Sequence, residues 1–287
     1  MTSLAADHAT RMPVHVDHVH LAVRDLPMVS AFYRDMIGLG SIEKSESGEV
    51  LGVAGQPLLT LLSEKDAVIA PRNAPGLFHT AFLLPDRTEL GRFLVHAAGQ
   101  NVPLQGASDH LVSEALYLDD PEGNGIEIYR DRRRDEWDYL DDGTVKMATH
   151  GLDPQALYDE TPKDKWEGMA PGTTIGHVHL KVSEVAQAEA FFRDALGLDL
   201  MATYPGAGFF ASGRYHHHVA ANIWNSRGAP KRAAGMTGLA EYSLRFNDPA
   251  LLQTTLAQLD RLEIPVSRDG NSASLTDPWG MRLKLAA

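Results

Sequence analysis

The sequence predicts an α+β fold built from four strand-helix-strands modules in two tandem halves, and three observations carry that prediction. Two blocks recur at one spacing: HVHLAVRDL at residues 18–26 returns as HVHLKVSEV at 177–185, and FYRDMIGLG at 32–40 returns as FFRDALGLD at 191–199. Each pair shares five of nine residues and both sit 159 residues apart, the mark of a duplicated unit. Within each half, an alternating strand pattern followed by a helical one occurs twice. At 287 residues with 44% apolar and 22% charged side chains, the chain is long enough for two ordinary globular domains.

The elements follow in order. Residues 18–23 alternate, with His18, His20 and Ala22 on one face and Val19, Leu21 and Val23 on the other. A helix starts after Asp25, a good N-cap, carries Val29, Phe32, Tyr33, Met36 and Ile37 at helical spacing, and stops at Gly38. Short strands fill residues 42–63. After the break at 71–76 the pattern restarts with a strand at 78–84, a helix at 86–99 and strands through Tyr129. The second half repeats this as strand 176–182, helix 183–196, strands to Trp224, strand 239–246, helix 248–262 and closing strands to Leu285. The expected domains are therefore 15–130 and 173–287, preceded by a disordered tail at 1–14 and joined by a polar linker at 131–172. Interleaved charges in RDRRRDEWDY mark that linker as a solvated segment, pinned to a domain surface by Trp137, Tyr139 and Trp166.

Composition narrows the chemistry. With no cysteine there is no disulfide framework and no thiolate ligand, so a metal would have to use histidine and carboxylate. A net charge of −12 argues against nucleic acid and anionic membranes as partners. No apolar run reaches the ~20 residues of a membrane span, and residues 1–14 lack a signal-peptide core, so a cytoplasmic location is expected.

The chemistry-bearing stretch is HLVSEALYLDDPEGNGIE, His110 to Glu127, closing on an alternating strand in which Glu127 and Tyr129 face away from Ile126 and Ile128. It resembles the extradiol ring-cleavage dioxygenase signature through His110, Leu116-Tyr117, Asp120-Pro121, Gly123 and Glu127. It departs from that signature at Ser108, where the family has a small or β-branched residue. Together with the repeated modules, the resemblance extends to the vicinal oxygen chelate superfamily over residues 15–287, and to its two-domain catechol 2,3-dioxygenase branch through VKMATHGLD and the YHHH run at 215–218.

The resemblance implies tandem βαβββ modules, two per domain, each domain a curled mixed sheet enclosing a pocket with helices outside. It places the metal ligands at His18, His79 and Glu127, a two-histidine, one-carboxylate set suited to Fe(II), with Mn(II) as the alternative. His110 is expected in an acid-base or oxygen-stabilising role and Tyr117 as a hydrogen-bond donor to bound substrate. His20 shares the face of His18 and is expected beside it in the pocket. The corresponding slots of the second half hold His177, Glu241 and Lys284, with Arg245 and Arg282 on the same faces, so no metal is expected there. The run at 214–224 resembles the segment that supplies an acid-base histidine in the metal-bearing domain of two-domain extradiol enzymes, and the resemblance makes His216 and His218, which share one face opposite His217, the candidates. A competing arrangement is a second metal site of His177, His216 and Glu241. His8, His15 and His96 lack motif support and are expected to face solvent.

The activity implied is extradiol cleavage of a catechol with O2, giving a 2-hydroxymuconic semialdehyde-type product in aromatic catabolism. Isomerase or lyase chemistry on the same ligands, and a metal-free small-molecule binding protein, are the alternatives. A small aromatic diol and O2 are the expected partners, and a homo-oligomer the expected assembly.

Overall fold

The computed structural model describes residues 12–287. The first module comprises β1 (Val14–Val23), α1 (Leu26–Asp35), β2 (Gly40–Lys44), β3 (Gly48–Val53) and β4 (Gln56–Ser63). The second comprises β5 (Gly76–Leu84), α2 (Arg87–Gly99), β6 (Gly106–Asp109), β7 (Ser113–Asp119) and β8 (Gly125–Asp131). A connecting segment carries β9 (His150–Gly151) and α3 (Pro154–Glu160). The third module has β10 (Thr174–Lys181), α4 (Val185–Glu189), β11 (Asp199–Tyr204), β12 (Ala207–Ala211) and β13 (Val219–Asn222). The fourth has β14 (Gly238–Phe246), α5 (Pro249–Arg261), β15 (Ser267–Asp269), β16 (Ser272–Thr276) and β17 (Arg282–Ala286).

Capping explains where the long helices begin. Asp25, Asp86 and Asp248 each accept a hydrogen bond from a backbone N–H of the first turn, of Met28, Glu89 and Ala250 respectively. Proline follows the cap in α1 and α5. The third module differs: Glu184 makes no side-chain cap, and α4 passes after five residues into a π-helical stretch, Ala190–Ala195, that buries Phe191 and Phe192.

The strands form two mixed sheets, ordered β15-β16-β17-β14-β1-β4-β3-β2 and β11-β12-β13-β10-β5-β8-β7-β6-β9. Both sheets draw on both of the halves expected at 15–130 and 173–287. The first module shares a sheet with the fourth through the antiparallel pair β1 and β14, and the second with the third through β5 and β10. Each sheet is thus assembled from both halves of the chain. Of the tail expected at 1–14, residues 1–11 lie outside the described residues, while Val14 already belongs to β1 and is buried. The linker is tied down on both sides. β9 pairs with β6, Trp137 packs on Tyr215, Trp166 stacks on His96 at 3.8 Å, and Tyr139 donates to the carbonyl of Arg214. Among the described residues no helix is long and apolar enough to cross a membrane.

One glycine sets the geometry of the central seam. β10 shifts register between Ile175 and His177, so Gly176 is the extra residue of a bulge that turns His177 into the sheet's concave face. A Cβ on Gly176 would lie 1.7 Å from the Tyr129 hydroxyl and 3.1 Å from the Leu83 Cβ. Gly176→Ala is therefore expected to displace fully buried Tyr129 and cost about 1–3 kcal/mol, read as a lower urea midpoint. A midpoint equal to that of the native protein would contradict this packing.

Candidate metal centre

Three strands of the second sheet bring His79 (β5), Glu127 (β8) and His177 (β10) to one point, all buried. The Nε2 atoms of His79 and His177 lie 2.9 Å and 3.2 Å from Glu127 Oε2, and 3.3 Å from each other. Ligands about 2.1 Å from one ion on adjacent octahedral positions stand about 3 Å apart, so this triangle has the size of one coordination face. Burial works to raise the Glu127 carboxyl, but His177 and His79 outweigh it and hold the group well below the ordinary carboxylate range. Burial pushes His177 down to about 4 against the pull of Glu127. At neutral pH the site offers a carboxylate and an unprotonated His177, the forms in which these groups bind metal.

The strand pattern explains the convergence. His177 and His179 share a face of β10, and His179 pairs directly with His79 across the seam. β5 and β8 run parallel, with Ala81 opposite Glu127. On the next strand, Tyr117 of β7 stands opposite Glu127.

Around the triad are three groups with settled hydrogen bonds. His110 Nδ1 lies 2.8 Å from the carbonyl of Ala148, which can only accept, so Nδ1 carries the proton. In the neutral ring its Nε2 then accepts from the Tyr117 hydroxyl at 2.7 Å. Asn222 Nδ2 donates to His179 Nε2 at 2.9 Å. The ring of His217 lies 4.0 Å from that of His177, and its Nδ1 is 2.7 Å from His216 Nδ1. His216 Nε2 in turn meets Asp131 Oδ1 at 2.9 Å, and the Tyr215 hydroxyl donates to the other oxygen of Asp131. An ionised Asp131 accepts from His216 Nε2–H. A neutral His216 then accepts from His217 Nδ1–H, leaving the His217 Nε2 lone pair unengaged.

His79, His110, Tyr117, Glu127, His179 and His217 line a cavity of about 1180 Å³. Phe78, Phe209 and Trp224 form aromatic walls, with Phe78 and Trp224 5.4 Å apart at their ring centres.

Several expected positions are corrected. His18 lies in the other sheet, where its Nε2 meets Thr60 Oγ1 at 2.7 Å, and His177 stands in the place assigned to it. His20 is beside His18, 3.7 Å from Glu241, and away from the triad. Glu241 is bound by Arg282 and Arg245 by Asp17, so a second metal site of His177, His216 and Glu241 does not form. His216 and His218 are fully buried behind the cavity wall, and His217 is the member of the run that reaches the cavity. His15 is buried rather than solvent-facing, His96 is half-buried on Trp166, and His8 lies outside the described residues. His110, Tyr117, His79 and Glu127 come together at the cavity. His179 was missed, although its repeat equivalent His20 marks the same strand face.

The model of the family described as the Glyoxalase/Bleomycin resistance protein/Dioxygenase superfamily matches residues 15–128 and 174–285. Catechol-2,3-dioxygenase of Bacillus subtilis (strain 168) is 36% identical over 282 residues, spanning 97% of this chain and 96% of that protein. Among solved structures, a protein of Bacillus subtilis subsp. subtilis str. 168 superposes with a TM-score of 0.64 at 14% identity, covering 96% of this chain and 86% of its own. Glyoxalase I from Zea mays gives 0.58 at 13% identity over 98% and 94%. At such identities these two likenesses speak for the fold alone.

The buried histidines set a pH window. His15, His18 and His177 are each pushed to about 4, chiefly by burial, from an ordinary value of 6.5. They favour the fold above pH 6.5, and that contribution is lost as pH falls from 6.5 towards 4. Asp120 and Asp277, raised to about 6 by burial, oppose this more weakly by number between 3.8 and 6. The metal-free protein is expected to have a lower urea midpoint at pH 5 than at pH 7, with His15→Gln reducing the difference. Equal midpoints would contradict neutral burial of these rings.

Proposed function

This chain belongs to the glyoxalase/bleomycin resistance protein/dioxygenase superfamily, and we propose that it is an extradiol dioxygenase cleaving a catechol-type ring with O2. The observation that carries the proposal is the coordination-sized triangle of His79, Glu127 and His177 beside the His110-Tyr117 pair and His217. Fe(II), or Mn(II), held by these three side chains would supply a Lewis acid and redox centre with open positions for a diol and O2.

The protein's own groups have separable tasks. The aromatic walls hold the ring and exclude water from the cavity. Tyr117, opposite Glu127, gives its hydroxyl proton to His110 Nε2 and presents an oxygen lone pair to a substrate hydroxyl at the centre; it becomes a donor to a substrate oxygen once His110 takes a second proton and donates Nε2–H to it. His110, anchored by the Ala148 carbonyl, keeps that hydroxyl oriented and can exchange its proton. His217 presents Nε2 as the base that takes a proton from the diol, its Nδ1 tied through His216 to Asp131. The product would be a 2-hydroxymuconic semialdehyde-type acid. Isomerase chemistry needs the triad but gives no role to the combined His110, Tyr117 and His217 set.

Anaerobic reconstitution with Fe(II), followed by catechol in air, is expected to give a growing yellow band with stoichiometric O2 uptake. Bound metal without O2 uptake would redirect the site to isomerase or lyase chemistry. His177→Ala and Glu127→Gln are expected to lose stoichiometric metal, measured by elemental analysis, while His18→Ala keeps it. Retention of metal by His177→Ala would overturn the ligand set. His217→Ala should keep metal and lose roughly 10²- to 10⁴-fold in kcat. Asp131→Asn should lose roughly 10- to 100-fold, because only the orientation of the base is disturbed.

A further inference from the structure

The face of β10 that carries His177 and His179 continues to Lys181, whose partner across the seam is Gly76 of β5. Because Gly76 has no side chain, Arg232 reaches over it, with Nη1 2.9 Å from where a Cβ would stand. Two cations, one on β10 and one in the β13–β14 connection, are thereby brought to one corner of the cavity, and both line it. Arg232 holds the carbonyls of Met236 and Thr237 through Nη2, which leaves Nη1 at the corner, while Lys181 Nζ donates to the carbonyl of Arg72. Among the described residues no carboxylate forms an ion pair with either. The acidic groups of the rim are already engaged: Glu122 by the N–H groups of Arg24 and Asp25, Asp119 by Gln105, and Asp142 by Thr144. Burial pushes both cations down; Lys181 is pushed further by Arg232, while Asp277 partly offsets the shift of Arg232. Two half-buried like charges at one corner, with only the buried Asp277 carboxyl acting on Arg232 and none on Lys181, are costly, and an anion between them reduces that cost.

We propose that Lys181 and Arg232 form a carboxylate-binding corner, so that the preferred substrate is an aromatic diol bearing a carboxylate on a short side chain. The inference rests on the diol reading of the metal centre and adds the far end of the substrate. Gly76 is three residues from His79 and Lys181 four from His177, roughly 10 Å and 13 Å along the strands. A long cationic side chain reaching back from that distance meets an acid arm on a ring bound at the centre. Phe78 and Trp224 lie between the two and flank the ring's path.

The test uses Mn(II)-loaded protein without oxygen, titrated calorimetrically with 3,4-dihydroxyphenylacetate and with its methyl ester. The acid is expected to bind roughly tenfold or more tightly than the ester. That ratio should fall towards one in Lys181→Met and in Arg232→Gln. Equal binding of acid and ester by the native protein, or a ratio that survives both substitutions, overturns the proposal. If a variant does not fold, the native ratio decides alone. The readout needs no ring cleavage: tight, acid-selective binding without O2 uptake would sink the dioxygenase reading and leave the corner standing. Cleavage of both compounds with equal affinities would do the reverse.

Discussion

The antiparallel seam between β5 and β10 is the constraint on which the centre depends. His79 and His179 are direct partners across it, and His177 enters the same face through the Gly176 bulge. Two of the three triad side chains therefore derive their spacing from a single strand pair, and Glu127 is added by the parallel strand beside β5. Nothing in either half alone would hold the set. The seam also carries the cost of burying a carboxylate, since the imidazoles flanking Glu127 are what keep it ionised in a dry site.

The other seam, between β1 and β14, is the same construction with the chemistry removed. His18 matches His177, Glu241 matches His79, and Lys284 matches Glu127 in the repeat. A protonated lysine cannot ligate, and the remaining charges are consumed locally, with Arg282 on Glu241 and Arg245 on Asp17. Asp17 stands at the bulge position that Gly176 occupies in the other sheet. Where no tyrosine hydroxyl needs room beneath the bulge, a side chain is tolerated there and serves an ion pair. One sheet is thus built around a cavity and the other around salt bridges, from modules with a shared pattern.

Much of this was legible in the residues. The alternation of β1 and β10, the aspartate caps of α1, α2 and α5, and the closing Glu127 all follow from local periodicity and local hydrogen bonding, which a sequence displays directly. His79, Glu127, His110 and Tyr117 were legible through the resemblance to the extradiol family, whose signature gathers His110, Tyr117 and Glu127 into the short stretch 110–127. Module pairing was not. A repeat says which strands are equivalent, not which of two equivalent edges a strand will join. His18 and His177 occupy equivalent slots, so exchanging partners left the local pattern unchanged while moving the third ligand from one to the other. The YHHH run held the discriminating signal: the segment it resembles lies in the metal-bearing domain of extradiol enzymes, and here it lies in the third module, with His177. Facing was harder still, because residues 215–218 precede β13 outside regular strand geometry, where alternation does not say that His217 rather than His216 meets the cavity.

The crossed pairing also accounts for how His217, the base of the proposed reaction, is held. Asp131 is the last residue of β8 in the second module, whereas His216 and His217 belong to the third. Tyr129 of β8 donates to the Tyr215 hydroxyl, which in turn donates to Asp131, so the same strand that positions Glu127 also anchors the ring behind His217. A shift between the two modules would separate His177 from His79 and Glu127 as well as from Asp131, so the hydrogen bond from Asp131 to His216 acts together with the β5–β10 seam to keep His217 in register with the triad. A base supplied wholly by the third module would lack that second tie.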